Sequence, residues 1–75
     1  MTPLQTRAAL VSFGKRFRGV RLSAKMTQRE LARRSRVGYR FISEMELGRE
    51  NPSLATIVLL ADGLGCELAD LFPRQ

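Results

Sequence analysis

Residues 27–48 read TQRELARRSRVGYRFISEMELG, and this stretch decides the fold. Thr27 is a natural N-cap, and Glu30 follows at the spacing of a capping box. Met26 before the cap and Leu31 after it have the spacing of a hydrophobic staple. The helix so opened runs to about Arg34 and buries Leu31 and Ala32. Ser35-Arg36-Val37-Gly38 is a turn. A second short helix runs from about Tyr39 to Glu46, with Ile42 and Met45 facing inward. Gly48 ends it just past the last turn, where glycine is favoured. Two helices this short bury little apolar surface alone, so the flanks must supply a core.

Upstream, Leu10, Phe13, Phe17, Val20 and Ala24 recur at three- and four-residue intervals, an amphipathic helix with Lys15, Arg16, Arg18 and Arg21 around its sides. Gly14 and Gly19 lower its intrinsic propensity, so packing must hold it. Two starts are compatible with the residues: Thr2-Pro3-Leu4-Gln5, as N-cap, proline at the first position and a Gln to complete the box, or Ser12. Downstream, Arg49 to Pro52 is a loop. Ser53 caps a fourth helix whose Leu54, Ile57, Val58, Leu60, Ala61 and Leu64 are expected in the core, and Gly65 stops it. Glu67 to Phe72 reads as a fifth helix ended by Pro73. No segment alternates as a strand does. The expectation is an all-α fold, a compact five-helix orthogonal bundle forming a single domain over residues 1–75.

Composition narrows the function. The 75 residues hold one cysteine and no histidine, which leaves no internal disulfide, disfavours a zinc site and provides no histidine base for an enzyme. No catalytic residue, metal or cofactor is expected, and the small size leaves little room for an effector. There is no membrane-length apolar run and no signal-peptide core, so a cytoplasmic location is expected. The net charge of +6 is unevenly spread. Residues 1–40 carry 11 Lys and Arg against Glu30 alone, and residues 41–75 carry Arg49 and Arg74 against six acids. The basic half is the face a polyanion would approach.

Residues 13–72 resemble the Cro/C1-type helix-turn-helix family, also called XRE-like, whose domains have the lambda-repressor-like fold. FGKRFRGVR resembles the family's opening helix and TQRELA its entry to the second helix. ISEMELG resembles the end of the recognition helix, and NPSLATIVLLADGLGCELADLF the closing pair of helices. Within the family, the small controller proteins of restriction-modification systems are of this size. The resemblance implies a small homodimeric transcriptional regulator that binds double-stranded DNA at a pseudo-palindromic operator, with helix 39–46 in the major groove. An antitoxin or other protein-interaction module, binding DNA mainly for autoregulation, is the alternative; no tail for wrapping a partner is visible in its favour.

On this register, Thr27 and Gln28 stand at a helix N-terminus, where unpaired N–H groups and the helix dipole favour a phosphate. Gln28 can bond a phosphate or a base edge. Gly38 is the entry residue, and Tyr39, Arg40, Ser43 and Glu44 form the reading edge. Arg40 has the fork that matches guanine O6 and N7. Tyr39 is set against a thymine methyl or a phosphate. Glu44, four residues after Arg40, either holds that arginine in a reading rotamer or makes a plain surface pair. Arg36, Arg49 and Asn51 are placed as phosphate contacts. The resemblance also makes Arg21 and Glu46 a structural ion pair between the first and third helices. Leu64, Leu68, Leu71 and Phe72 offer a candidate dimer surface; Leu68 and Leu71 are read rather as closing the chain's own core, and Leu64 and Phe72 as the interface residues. Three residues depart from the family pattern. Arg36 stands where glycine is common, Gly38 replaces the usual Ser/Thr cap, and Leu47 stands where a polar residue is usual.

Overall fold

The computed structural model describes residues 1–73. It contains four α-helices, α1 (Pro3–Ser23), α2 (Gln28–Ser35), α3 (Tyr39–Glu46) and α4 (Leu54–Leu64), followed by a single 3-10 helix at Leu68–Leu71. No strand occurs among the described residues. The expected fifth α-helix is therefore a shorter, tighter turn. Asp70 accepts the Glu67 N–H at 3.0 Å and draws the segment into one turn, and Pro73 restricts the residue before it and blocks continuation.

The earlier of the two possible starts is the real one for α1. The Thr2 hydroxyl accepts the Gln5 N–H at 3.1 Å and the Gln5 side chain accepts the Thr2 N–H at 2.7 Å, a complete capping box with Pro3 at the first position. Residues 1–9 are exposed, so the first turns of α1 outrun the core. Its inward face is Phe13, Gly14, Phe17 and Arg21, while Ala24, expected on that face, is the exposed C-cap.

The core comprises Phe13 and Phe17 of α1, Leu31, Val37, Ile42, Met45, then Ile57, Leu60, Ala61 and Leu64 of α4, closed by Leu71. α2 packs on α3 and α4, and α1 packs on α3 and the 3-10 helix. Arg16 secures that last contact by donating its Nε–H to the Asp70 carbonyl at 2.9 Å. Leu54 and Val58, expected in the core, are 63% and 48% exposed. The buried stripe of α4 runs through positions 57, 60, 61 and 64; Leu54 lies at its margin in the first turn, and Val58 is turned about 100° from Ile57.

Local signals set the helix ends. Ser53 accepts the Thr56 N–H at 3.1 Å. After α3, Gly48 N–H donates to Met45 and Arg49 N–H to Glu44, the paired bonds of a Schellman turn, with Gly48 at φ +76°. A Cβ on Gly48 would meet the Val11 backbone at 2.8 Å, so glycine is required there twice over. α1 ends the same way, but with Lys25 at φ +57°.

Candidate nucleic-acid interface

The helix pair is held by a turn with one strained residue. Arg36 caps α2 at φ +64° and ψ +14°, the left-handed conformation expected from its standing in for glycine. Ser35, whose role the sequence reading missed, is buried and accepts the Val37 N–H on its hydroxyl at 3.1 Å, which steers the chain through the turn. Gly38 caps α3 without a side-chain bond. At the start of α2, the Thr27 hydroxyl accepts the Glu30 N–H at 3.0 Å. The reciprocal half of the expected capping box is not made, because Glu30 turns to Arg33 and Arg34 instead. Those two arginines, Arg33 foremost, hold the Glu30 carboxyl below its ordinary pKa.

Behind the pair, Arg21 and Glu46 are buried together. Arg21 Nε–H and Nη2–H donate to the two Glu46 oxygens at 2.6 and 2.9 Å, and Nη1–H donates to the Met26 carbonyl at 2.8 Å. The Glu46 hydrogen bond raises the Arg21 pKa against the opposing effect of burial. Gln28 joins this network, giving an Nε2 hydrogen to Glu46 at 3.0 Å. α1, α3 and the first turn of α2 thus share one carboxylate. Gln28, expected to point outward to a phosphate or base, is half-buried and spends one amide hydrogen inward; its second amide hydrogen and its carbonyl have no partner among the described residues.

The outward edge carries Gly38, Tyr39 and Arg40, all exposed, with Ser43 and Glu44 half-buried beside them. Arg40 makes no hydrogen bond or ion pair among the described residues. Glu44 pairs with Arg49 at 3.5 Å and not with Arg40. The Schellman turn folds the chain back, so that the Arg49 N–H reaches the Glu44 carbonyl at 2.9 Å and brings the two side chains together. Arg49 and Asn51 line an open cleft against Thr6, Arg7 and Leu10 of α1. Arg29, which the sequence reading did not single out, places its guanidinium carbon 4.2 Å from the centre of the Tyr39 ring. Its position beside Gln28 was the available signal.

The candidate dimer residues divide. Leu64 and Leu71 are buried in the chain's own core and offer no free surface, while Leu68 is half-buried and packs partly against that core. Phe72 is 40% exposed, with its ring centre 5.4 Å from that of Phe13. Leu47, Leu54, Val58 and Leu59 are the large aliphatic side chains exposed in the chain's second half. Among the described residues no group of three His, Cys, Asp or Glu side chains gathers as a metal ligand set, and no helix is long and apolar enough to cross a membrane.

A short helix, a left-handed turn and a second helix with an exposed arginine-bearing edge, set on a small helical scaffold, define a helix-turn-helix domain. The chain matches the helix-turn-helix family model over residues 17–71 and belongs to that family, in its Cro/C1-type (XRE) branch. It is 30% identical over 65 residues to the immunity repressor protein of Bacillus phage phi105, a match covering 87% of this chain and 45% of the repressor. The chain thus spans under half of that relative's length. It is 34% identical over 58 residues to the HTH-type transcriptional regulator y4dJ of Sinorhizobium fredii, covering 77% of this chain and 75% of that protein. Among solved structures, the restriction-modification controller protein C.AhdI from Aeromonas hydrophila superposes with a TM-score of 0.84 at 37% identity, covering 87% of this chain and 98% of that one. The clp gene regulator ClgR from C. glutamicum superposes with a TM-score of 0.78 at 33% identity, covering 84% and 82% of the two chains.

Proposed function

We propose that this protein is a sequence-specific regulator of transcription that binds duplex DNA as a homodimer, with α3 in the major groove. The observation that carries the reading is the exposed Tyr39–Arg40 edge on a helix pair braced from behind by the Arg21–Glu46–Gln28 network. A rigid, basic helix edge is what base readout requires, and the excess of arginine over residues 1–40 supplies the phosphate attraction. Arg36 and Arg49 flank the edge as phosphate contacts, and Thr27, Asn51 and the free amide hydrogen of Gln28 add polar ones. The names of the relatives, a phage immunity repressor and a controller protein among them, support the regulatory role.

Dimerisation follows from the reading of a symmetric operator. The exposed Leu54 and Val58 of α4 and the open side of Phe72 are the surface for the second copy, in place of Leu64, Leu68 and Leu71.

Two measurements test this. A salt series on a selected duplex and on random duplexes should show steep salt dependence for both, with the selected site bound about a thousandfold tighter or more. Equal affinity for the two sinks the specific-regulator reading. Sedimentation of Leu54→Glu/Val58→Glu should show a folded monomer where the unaltered chain is a dimer; an unchanged mass rejects this dimer surface.

A further inference from the structure

Arg29 stands in the first turn of α2, with its guanidinium over the ring of Tyr39, the first residue of α3. The ring attracts the cation through its negative face. A ring contact spends none of the guanidinium's five N–H donors, and Arg29 makes no hydrogen bond or ion pair among the described residues. Its neighbours differ. Arg21, Arg33, Arg34 and Arg49 are paired with carboxylates, and Arg36 and Arg40 are exposed with nothing among the described residues to hold their side chains. Among the described residues, Arg29 is the arginine of this face that is both held in place and free to donate.

That combination suits recognition, because part of the ordering of a long side chain is then done before the ligand arrives. The position selects the ligand. Tyr39 opens the helix whose outer edge is offered to the bases, so a guanidinium fixed over its ring lies on that edge. In the major groove only guanine presents two acceptors, O6 and N7, to one fork. We infer that Arg29 and Tyr39 act as one reading element, in which the Tyr39 ring holds the Arg29 guanidinium against a guanine of each half-site. The inference rests on the DNA-binding reading above and adds to Arg40 a second guanine-directed residue, contributed by α2.

Selection of bound duplexes from a random pool, using the full chain and its variants, tests this. Arg29→Ala should erase the preference for one guanine per half-site, a loss of roughly 5- to 150-fold at that position, while the other positions keep theirs. Tyr39→Phe keeps the ring and should keep that guanine. Tyr39→Leu removes the ring and should lose the same guanine as Arg29→Ala. Both side chains are exposed, so unchanged thermal midpoints should show that the variants fold. If Arg29→Ala instead weakens all duplexes alike and lowers the log K against log salt slope by about one, Arg29 is a phosphate contact and the inference is overturned. It is overturned equally if the Arg29-dependent guanine survives Tyr39→Leu. A consensus unchanged by Arg29→Ala rejects this inference alone, whereas a wild-type chain that selects no consensus rejects the regulator reading itself.

Discussion

Gly14 of α1 lies so close to the end of α3 that a Cβ on it would sit 2.6 Å from the Met45 carbonyl oxygen. The Glu46 carbonyl oxygen would be 2.7 Å away. Both are backbone atoms, so neither can swing aside. In isolation glycine weakens a helix; here it sets how closely α1 and α3 approach.

Two glycines of the same helix should therefore respond with opposite sign. Gly14→Ala should destabilise the protein by about 1–3 kcal/mol, because the overpacking cost exceeds the propensity gain. A Cβ added to Gly19 would meet nothing within 4 Å, so Gly19→Ala should stabilise by up to about 1 kcal/mol. Urea midpoints of both variants decide this; a stabilised Gly14→Ala would show that the close approach is not fixed.

The Arg21–Glu46 pair, at 7% and 3% side-chain exposure, should behave as a unit. Arg21→Met alone leaves a carboxylate buried without its cation and should cost about 3–5 kcal/mol. Arg21→Met with Glu46→Leu should recover most of that loss, since a matched apolar pair escapes the desolvation penalty. Chemical denaturation of the two single variants and the double variant measures the coupling. Simple additivity would mean that the pair is solvated in solution.

Lys25 and Arg36 hold φ values of +57° and +64° that side chains with a Cβ resist. Lys25→Gly and Arg36→Gly should each stabilise by about 1 kcal/mol. Only Arg36→Gly should also weaken DNA binding, lowering the salt slope by about one as a phosphate contact is lost. Melting curves paired with binding isotherms check both halves, and an Arg36→Gly chain that binds as well as the original removes Arg36 from the interface.

Cys66 gives a pH signature. Burial, then the charges of Asp70 and Glu67, push its thiol pKa up. A thiol raised on folding contributes stability that is fully present below its unfolded pKa of about 8.5 and lost as pH rises through the folded value. Stability of the wild type should therefore fall more steeply than that of Cys66→Ala between pH 8 and pH 10. Urea titrations at stepped pH test this, with parallel curves as the contrary result.

Much of the fold was legible in the chain because its signals are local. Thr2, Thr27 and Ser53 cap helices through atoms three residues away. Gly48 and Gly65 end helices through their own φ. The strain at Arg36 could be read from its standing in a glycine position. The stripe of Phe13 and Phe17 followed from helical spacing alone.

Relations between side chains distant in sequence or competing for one partner were not legible. Glu44 had Arg40 one turn away and Arg49 beyond a turn, and the Schellman geometry chose Arg49. Gln28 looks outward at a helix N-terminus, yet one amide hydrogen goes to Glu46 because α3 carries that carboxylate beneath it. Leu54, Val58, Leu64 and Leu71 are alike in hydrophobicity, and only the packing of α4 and the 3-10 helix decided that the first two face outward and the last two close the core. The sequence by itself determined the helix-turn-helix at its centre, from the Thr27 cap to the Gly48 stop, since caps and turns act within a few bonds; it left the start of α1 open between Thr2 and Ser12 and overran the 3-10 turn at Leu68–Leu71. The tertiary structure alone decided which side chains are free to meet a partner, since that depends on what each helix places opposite the next.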